Sequence, residues 1–391
     1  MPPPVLDWRS SADSRNVLHA AVQTLSSGGV VALPTETVYG LAASALLPQA
    51  VERLRQGKGR PEAKPLALAV GGAAEALDWV PEMSNLGRRL ARRSWPGPVT
   101  LVFEGAERGL ASRLPEAVRQ QVMPAGTLGL RVPAHEAVLK ILRLLPGPLV
   151  LTSANRSGEP PAVTAEEVLR AVGDEIDLVI DGGRCRYGQA STVVRVAADS
   201  WSVLREGVVS AEVLQRKLAC VILFVCTGNT CRSPLAEALC KKQLADRLGC
   251  TVAELPERGF IVLSAGLAAL AGGEATPEAV EAAREFGADL SAHRSRPLSA
   301  DLVRQADWVV AMTASHLAAL EERFRRQGIP LRLLCPEGSD IPDPIGSAPE
   351  VYRTCAQQIW GHLEKLLLEL PKSCSVPTAP RDEPQAGPNQ P

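Results

Sequence analysis

The first half of the chain alternates short apolar runs with amphipathic segments. The runs have the length of buried strands and are followed by polar turn residues; they cover 30–33, 66–70, 149–152 and 178–180. Residues 48–56 have the helical spacing of Val51 and Leu54, and residues 86–94 form a second helix candidate. Strands interleaved with helices predict an α/β sheet.

From residue 220 onward the pattern becomes strand, glycine-containing loop, helix. The predicted strands cover 220–225, 260–264, 308–312 and 331–334, and the predicted helices cover 234–244, 277–286, 300–305 and 351–370. This order is typical of a doubly wound parallel sheet, in which ligands bind at the carboxyl ends of the strands. Ser210 is suited to cap a short helix between the two halves.

A chain of 391 residues is long enough for two or three domains. We predict an N-terminal extension at 1–14, a first domain at 15–209, a linker helix at 210–218, a second domain at 219–370 and a tail at 371–391. The tail contains prolines and almost nothing apolar, so we expect it to be disordered.

Charge and cysteine usage narrow the function classes. A formal net charge of -1 argues against a protein that coats duplex nucleic acid or a membrane surface, so RNA binding would need a local patch. The apolar runs are too short to span a bilayer, and residues 1–20 lack an apolar signal region, so we expect a cytoplasmic protein without membrane contact. In such a reducing compartment we expect the nine cysteines to be free thiols. Only Cys185 precedes residue 219, which suggests two domains of different ancestry.

The strongest local signal is a loop between the strand at 220–225 and the helix at 234–244. Cys226 and Arg232 are separated by five residues, which include Gly228 and Asn229. Because these two tolerate left-handed backbone angles, the loop can turn its N–H groups inward as an anion-binding nest at a helix start. Arg232 can hold two phosphate oxygens at once, and the same positive field favours the thiolate of Cys226 as a nucleophile.

A leaving group also needs a proton, and Asp343 lies between two prolines on the loop before the last helix. It is therefore the predicted general acid. Arsenate reduction with Cys231 or Cys335 as resolving cysteine is an alternative, although a close downstream cysteine pair is missing. An inactive phosphate-binding module is a further alternative, against which the intact Cys226, Arg232 and Asp343 argue.

Residues 220–368 resemble the low-molecular-weight protein tyrosine phosphatase family. Besides the loop, the similar segments are 264–266, 287–293 and 306–313. The resemblance implies Cys226 as nucleophile, Arg232 as phosphate clamp, Asp343 as general acid and no metal. The remaining phosphate-binding positions would be Thr227, Gly228, Asn229, Thr230, Cys231 and Ser233, with Ser233 supporting the thiolate.

Two departures from the tyrosine-directed members bear on the substrate. Thr230 replaces an aliphatic loop residue, and Ile345-Gly346 replace the aromatic residues that tend to follow the acid. Both departures resemble the protein-arginine phosphatase branch. We therefore expect a phosphoprotein substrate with phosphoarginine favoured over phosphotyrosine.

The first half has no Walker-type loop, but polar residues collect at its strand ends and loops. They lie in segments 34–41, 58–66, 95–100, 130–133, 152–155 and 191–194. Lys58, Arg60 and Lys64 form a cationic group suited to a triphosphate, and Ser153 and Asn155 add uncharged donors. From these residues alone the domain is an α/β domain with a candidate phosphate site.

In this order the six segments resemble the YrdC family of threonylcarbamoyl-AMP synthases, over residues 15–207. The resemblance implies a twisted mixed sheet with helices. The resemblance implies that L-threonine, bicarbonate and ATP become threonylcarbamoyl-AMP and pyrophosphate, with Mg²⁺ bridging the phosphates and a downstream transferase modifying tRNA. It assigns threonine to Thr35, Arg131 and Ser191. It assigns ATP to Lys58, Arg60, Lys64, Thr127, Ser153, Asn155 and Arg205. An RNA-binding module without synthase activity is the alternative.

Overall fold

The computed structural model describes residues 2–9, 14–61, 64–198, 200–324 and 330–370. They divide into two compact units, with the division between Leu214 and Gln215. The division lies inside the segment 210–218, where a helix is found at Ala211–Leu218. The predicted domain bounds remain a prediction, and the predicted tail at 371–391 lies outside the described residues.

The first unit contains ten strands and seven helices among its described residues. The strands are β1 (Val5–Asp7), β2 (Val31–Leu33), β3 (Gly40–Ser44), β4 (Ala67–Ala69), β5 (Val99–Glu104), β6 (Thr127–Arg131), β7 (Leu149–Ser153), β8 (Leu178–Asp181), β9 (Thr192–Val196) and β10 (Trp201–Arg205). The helices are α1 (Ser14–Ser26), α2 (Pro48–Gly57), α3 (Ala76–Trp79), α4 (Asn85–Ser94), α5 (Glu116–Val122), α6 (Glu136–Leu144) and α7 (Ala165–Val172), and short 3₁₀ turns cover Ala106–Arg108, Leu110–Arg113 and Gly173–Glu175.

The ten strands form one mixed sheet in the order β1-β8-β2-β3-β7-β4-β6-β5-β9-β10. Strand β3 is antiparallel to both β2 and β7, whereas β4 and β6 are parallel. Helices α1 and α6 cover the β2 region through Val17, Leu25 and Ile141, which are buried in one apolar cluster. The predicted mixed α/β sheet is therefore confirmed. Strand β1 comes from the predicted N-terminal extension and pairs in parallel with β8.

The second unit is smaller and more regular. Its strands are β11 (Cys220–Cys226), β12 (Phe260–Gly266), β13 (Trp308–Ala311) and β14 (Leu331–Leu333). Its helices are α9 (Arg232–Leu248), α10 (Pro277–Glu285), α11 (Ala300–Gln305), α12 (Ala314–Phe324) and α13 (Pro349–Leu368), with a 3₁₀ turn at Val252–Glu254. The helix that spans the division, Ala211–Leu218, is α8.

The four strands are all parallel, in the order β12-β11-β13-β14. All seven residues of β11 are buried, as expected for an apolar strand covered on both faces. Alternate residues point to opposite faces: Ile222 and Phe224 join the apolar cluster under α9 and α13, whereas Leu223 joins the cluster under α11 and α12. The predicted doubly wound parallel sheet is therefore confirmed, with Cys226 at the carboxyl end of a central strand.

Within the described residues, no helix combines the length and the apolar character that crossing a membrane requires.

Candidate active sites

A cavity of about 460 Å³ lies in the first unit. Its lining includes eight of the ten residues that the sequence predicts to bind ATP or threonine: Thr35, Arg60, Lys64, Thr127, Arg131, Ser153, Ser191 and Arg205. These residues come from distant parts of the chain and lie at strand ends, as Ser153 does on β7 and Arg205 on β10, or in loops, as Arg60 and Lys64 do. The volume is within the usual range of small-molecule sites.

Positive charge concentrates in this cavity. Arg60 is held by backbone oxygens, with donor–acceptor distances of 3.1 Å to Lys64 and 2.6 Å to Pro65. Arg205 donates to the Ser191 carbonyl at 2.7 Å. Burial lowers the pKa of Arg60, and the nearby charge of Arg205 lowers it further; burial and Arg131 lower the pKa of Arg205. A bound polyanion would relieve this repulsion between the guanidinium groups.

Arg131 is positioned by a buried carboxylate. One terminal guanidinium nitrogen donates to Glu36 Oε1 at 2.8 Å and to Thr37 Oγ1 at 2.8 Å, while Glu36 Oε2 accepts from the backbone N–H of Ala134 at 2.9 Å. Glu36 is 6% exposed, so this is a buried ion pair. Arg131 Nε is buried and has no hydrogen-bond partner among the described residues. The guanidinium is thus fixed in orientation without using all its donors.

The two hydroxyl residues predicted to bind the substrate threonine, Thr35 and Ser191, have different hydrogen-bond partners. The Thr35 hydroxyl donates to the Val38 carbonyl at 2.6 Å and accepts from the Thr37 N–H at 3.1 Å, which closes a local turn. Ser191 Oγ shares a hydrogen bond with Thr100 Oγ1 at 3.0 Å. Thr35 therefore shapes the cavity wall, and its predicted contact with threonine stays a prediction.

Lys58 and Asn155 lie behind the wall rather than in it. Four acceptor oxygens surround Lys58 Nζ: the carbonyl and hydroxyl of Ser153 at 2.5 and 3.1 Å, and the carbonyl and side-chain oxygens of Asn155 at 3.0 and 2.8 Å. Burial, together with Arg60 and Arg205, lowers the pKa of Lys58 to about 7. Lys58 thus ties the end of α2 to the end of β7 and carries a titratable charge beside the cavity.

The second site is the loop between β11 and α9. Cys226 is the last residue of β11 and Arg232 is the first of α9, so the strand and the helix fix both ends of the loop. Cys226 Sγ lies 2.9 Å from Ser233 Oγ and accepts from the Asn229 N–H at 3.3 Å. The Ser233 hydroxyl and the Asn229 N–H therefore hold the sulfur in place at the N-terminus of α9.

Asn229 holds this loop in shape. It has a φ of 55°, which asparagine tolerates better than most residues. Its side-chain N–H groups donate to Ser233 and Ser264 at 3.0 and 2.9 Å, and its side-chain oxygen accepts from the Arg296 N–H at 2.9 Å. Three buried or half-buried partners therefore preorganise the loop before any anion arrives.

Arg232 and Asp343 form an ion pair. The distance from an Arg232 terminal nitrogen to Asp343 Oδ2 is 2.5 Å, and the other terminal nitrogen donates to the Ile341 carbonyl at 3.2 Å. The Arg232 side chain is 7% exposed, whereas Asp343 is 44% exposed. The predicted phosphate clamp and the predicted acid are thus brought together at the mouth of one loop.

The remaining loop residues contact the surrounding elements. Cys231 Sγ lies 3.7 Å from the hydroxyl oxygens of Thr230, Thr276 and Tyr352. Thr227 Oγ1 shares a hydrogen bond of 2.8 Å with His316 Nε2, and Thr313 Oγ1 binds the other ring nitrogen at 2.8 Å. Burial and then Arg232 lower the pKa of His316, whose ring links the loop to α12.

Comparison with known proteins places the first unit in a family. The family model Sua5_yciO_yrdC, described as telomere recombination, matches residues 23–207. A putative threonylcarbamoyl-AMP synthase of Mycobacterium tuberculosis is 36% identical over 199 residues, which cover 51% of this chain and 87% of that protein. The chain belongs to the Sua5/YciO/YrdC family. The threonylcarbamoyl-AMP synthase of Pyrococcus abyssi is 35% identical over 201 residues. This chain spans only 56% of that family member's length.

Beside its Sua5/YciO/YrdC domain the chain has a second domain of known type. The model for low molecular weight phosphotyrosine protein phosphatase matches residues 221–376. Among solved structures, a YwlE mutant from Bacillus subtilis is 37% identical, with a TM-score of 0.34, and the match covers 38% of this chain and 96% of that one.

Several residues at the two sites had no role in the sequence prediction. Glu36, Thr37 and Thr100 lie inside recognised segments of the Sua5/YciO/YrdC domain, and only their contacts with Arg131 and Ser191 distinguish them. In the phosphatase domain, Ser264 accepts from the Asn229 side chain and donates to a carboxylate oxygen of buried Glu237 at 2.6 Å. His316 shares a hydrogen bond with Thr227. No local pattern identifies these partners, because each contact joins residues distant in the chain.

Proposed function

We propose that the chain is a bifunctional enzyme. The first domain would convert L-threonine, bicarbonate and ATP to threonylcarbamoyl-AMP, pyrophosphate and water. Threonylcarbamoyl-AMP is the product for which the similar synthases are named. The second domain would be a cysteine-dependent phosphatase. The product of the first reaction would be used by a transferase that modifies tRNA.

One observation supports the synthase above the others: Arg60, Lys64, Arg131 and Arg205 line a single cavity. The reaction needs positive charge for three tasks. The site must hold the triphosphate, orient the threonine carboxylate and stabilise the pyrophosphate that leaves. In the bond-making step, a carbamate oxygen of N-carboxylated threonine attacks the α-phosphorus, and pyrophosphate takes the electron pair of the broken P–O bond. The protein would contribute mainly positioning and charge neutralisation.

Magnesium would arrive with the nucleotide. The cavity lining in the described part of the chain contains hydroxyl groups such as those of Thr127 and Ser153 but no carboxylate. Mg²⁺ prefers oxygen ligands and commonly keeps several waters while it binds substrate phosphates. The residues present therefore suit a metal held chiefly by the triphosphate, which would be neutralised jointly by that metal and the arginines.

Pyrophosphate release tests the synthase directly. The full-length protein with ATP and Mg²⁺ should release pyrophosphate only when both L-threonine and bicarbonate are present. Replacing Arg60 by Ala should lower kcat/KM at least ~10-fold, since it removes a charge from the triphosphate site. Arg53→Ala is the matched control, because Arg53 lies on α2, which ends three residues before Arg60, and pairs with exposed Asp177 outside the cavity lining. Threonine-independent release, or equal losses in the two variants, would contradict the proposal.

The phosphatase activity is supported by the placement of three residues. Cys226 and Arg232 lie at the two ends of one loop, and Arg232 pairs with Asp343. The thiolate would attack phosphorus in line, the bond to the leaving group would break, and Asp343 would give that group its proton. Water would then release phosphate from the cysteine. Cys226→Ser should abolish multiple turnover while leaving phosphate binding, and Cys250→Ser, a half-buried cysteine outside the loop, should change neither. Retained turnover in Cys226→Ser would exclude this mechanism.

Phosphoarginine is the proposed substrate because of Thr230 and Ile345. A flat guanidinium has N–H donors and gains from a hydroxyl acceptor such as Thr230 Oγ1, whereas a tyrosine ring gains from an aromatic neighbour. Ile345 is 62% exposed and offers no ring. Thr230→Val keeps the shape and removes the hydroxyl, so it should lower the ratio of phosphoarginine to phosphotyrosine turnover. Faster turnover of phosphotyrosine peptides by the unaltered protein would exclude the preference.

A further inference from the structure

Three metal-ligating side chains meet in the phosphatase domain outside the residues of the loop. Cys335, Glu337 and His362 place one ligand atom each so that all three atoms lie within 4.8 Å of one another. Cys335 is 1% exposed, while Glu337 is exposed and His362 is half-buried. A buried thiol beside a carboxylate and an imidazole has no role in the proposed phosphatase chemistry.

A tight turn sets the first two of these side chains. Cys335 follows β14, and the Gly338 N–H donates to the Cys335 carbonyl at 3.1 Å, closing the turn Cys335-Pro336-Glu337-Gly338. Proline and glycine are the residues such turns favour, and Gly338 has a φ of 85°. The Cys335 thiol lies 3.1 Å from Glu337 Oε2 and 2.8 Å from Ser339 Oγ. The turn therefore brings the thiol and one carboxylate oxygen together.

Helix α13 supplies the third side chain. His362 Nδ1 is buried and has no hydrogen-bond partner among the described residues, which is costly for a ring nitrogen. Lys365, one turn further along α13, pairs with the other Glu337 oxygen, Oε1, at 2.7 Å. Glu337 is therefore oriented by Lys365 but keeps Oε2 on the side of the thiol.

We propose that Cys335, Glu337 and His362 bind one thiophilic divalent cation, of which Zn²⁺ is the best match. Thiolate, imidazole and carboxylate are the three ligand types that zinc takes, with ligand bonds of ~2.0–2.3 Å and a water completing a tetrahedron. The three ligand atoms are close enough to converge on one such ion. Mg²⁺ and Ca²⁺ are poor matches, because both prefer oxygen ligands.

The cation would join the turn after β14 to α13. The segment between these elements carries Asp340, which accepts from the Ala314 N–H at 2.6 Å, and Asp343, which pairs with Arg232. A metal at its first residues would hold the start of this segment against the last helix. Binding should therefore slow hydrogen exchange of the backbone amides in 334–343.

Cobalt tests the ligand set, because Co²⁺ substitutes for Zn²⁺ and gives a thiolate-to-metal charge-transfer absorption. We would use the full-length chain with Cys226→Ser, which removes the nucleophilic thiol, under a non-thiol reductant. One equivalent of Co²⁺ should give the band, Zn²⁺ should displace it, and a large excess of Mg²⁺ should not. Adding Cys335→Ser should abolish the band. His362→Gln and Glu337→Gln should weaken binding by at least ~10-fold, the lower end of the cost of removing even a supporting residue.

The controls keep the test informative if a variant is damaged. Cys250→Ser and the exposed His19→Gln change the same residue types elsewhere and should leave the band intact. If Cys335→Ser fails to fold, the surface variant Glu337→Gln carries the test alone. The proposal is overturned if the unaltered cluster gives no band, if the band survives Cys335→Ser, or if Zn²⁺ leaves exchange in 334–343 unchanged.

Discussion

Lys58 is held by four oxygens, yet its pKa is lowered to about 7. Burial is the first cause, and the charges of Arg60 and Arg205 add to it. The lysine is therefore mostly neutral above pH 8 in the free protein, although an exposed lysine stays charged there. A triphosphate in the adjacent cavity would favour the charged form and raise this pKa.

Binding of ATP should therefore take up protons. At pH 8 the uptake should approach one proton, and it should shrink as the pH falls below the free-protein pKa, where Lys58 is already charged. Titration calorimetry with a non-hydrolysable ATP analogue, in two buffers of different ionisation enthalpy, measures it. Lys58→Gln cannot titrate, so the difference between the two proteins removes the nucleotide's own protonation. Equal uptake by both proteins would show that Lys58 does not sense the nucleotide.

At the scale of elements, the end of β12 lies directly against the phosphate loop. A Cβ on Gly266 would sit 2.5 Å from the Thr227 carbonyl oxygen and 2.7 Å from Ala269 Cβ. Gly266 also pairs with Cys226 in the parallel ladder. Glycine at this strand end therefore allows the loop to approach the sheet.

Gly266→Ala should displace the loop and lower phosphatase kcat/KM. Gly361→Ala is the matched control: Gly361 lies within α13 with open space around its Cβ position, so alanine should stabilise the domain by ~0.8–1 kcal/mol. Phosphatase kinetics and urea unfolding of both variants check this. Unchanged kinetics in Gly266→Ala would mean that the loop tolerates the displacement.

Strands and helices differ in how well the sequence predicts them. The strand predicted at 220–225 is β11, because an unbroken apolar run leaves little alternative. The helix predicted at 234–244 begins two residues earlier, at Arg232, since the loop itself supplies its N-terminus. Strand β3 was not predicted: Gly40–Ser44 lacks β-branched residues and becomes a strand through pairing with β2 and β7.

The site residues show the same limit. Recognisable segments identified Arg131 and Asn229 as site residues. They contain Glu36 but gave it no role, because its partner Arg131 lies 95 positions away, and they do not contain Arg296, which lies 67 positions from Asn229. Periodicity and turn chemistry report on neighbours in the chain. Contacts of this length are set by sheet order, and that order appears only in the folded structure.

At the scale of the whole molecule, two sheets with separate apolar clusters carry two different sites. The residues proposed for each reaction lie entirely within one unit. The proposed reactions also share no intermediate. Each site therefore has the residues it needs without the other.

The two activities should respond independently to substitution in the full-length protein. Arg60→Ala should lower pyrophosphate release and leave phosphatase kcat/KM unchanged, and Cys226→Ser should do the reverse. The double variant should show both losses without an added effect. Both assays on all four proteins test this, and a change in the distant activity would reveal coupling between the domains.

The Arg232–Asp343 ion pair gives the proposed phosphatase a resting state that competes with its own substrate. An incoming phosphoryl group would have to displace a carboxylate from the arginine. That exchange would free the Asp343 carboxylate, which must take up a proton before it can act as the general acid. When phosphate leaves the loop, the ion pair between Arg232 and Asp343 would form again. Asp343 would thus compete with bound anions for Arg232. Dianionic phosphoryl groups should displace it more readily than singly charged anions do, and its return should favour release of the product.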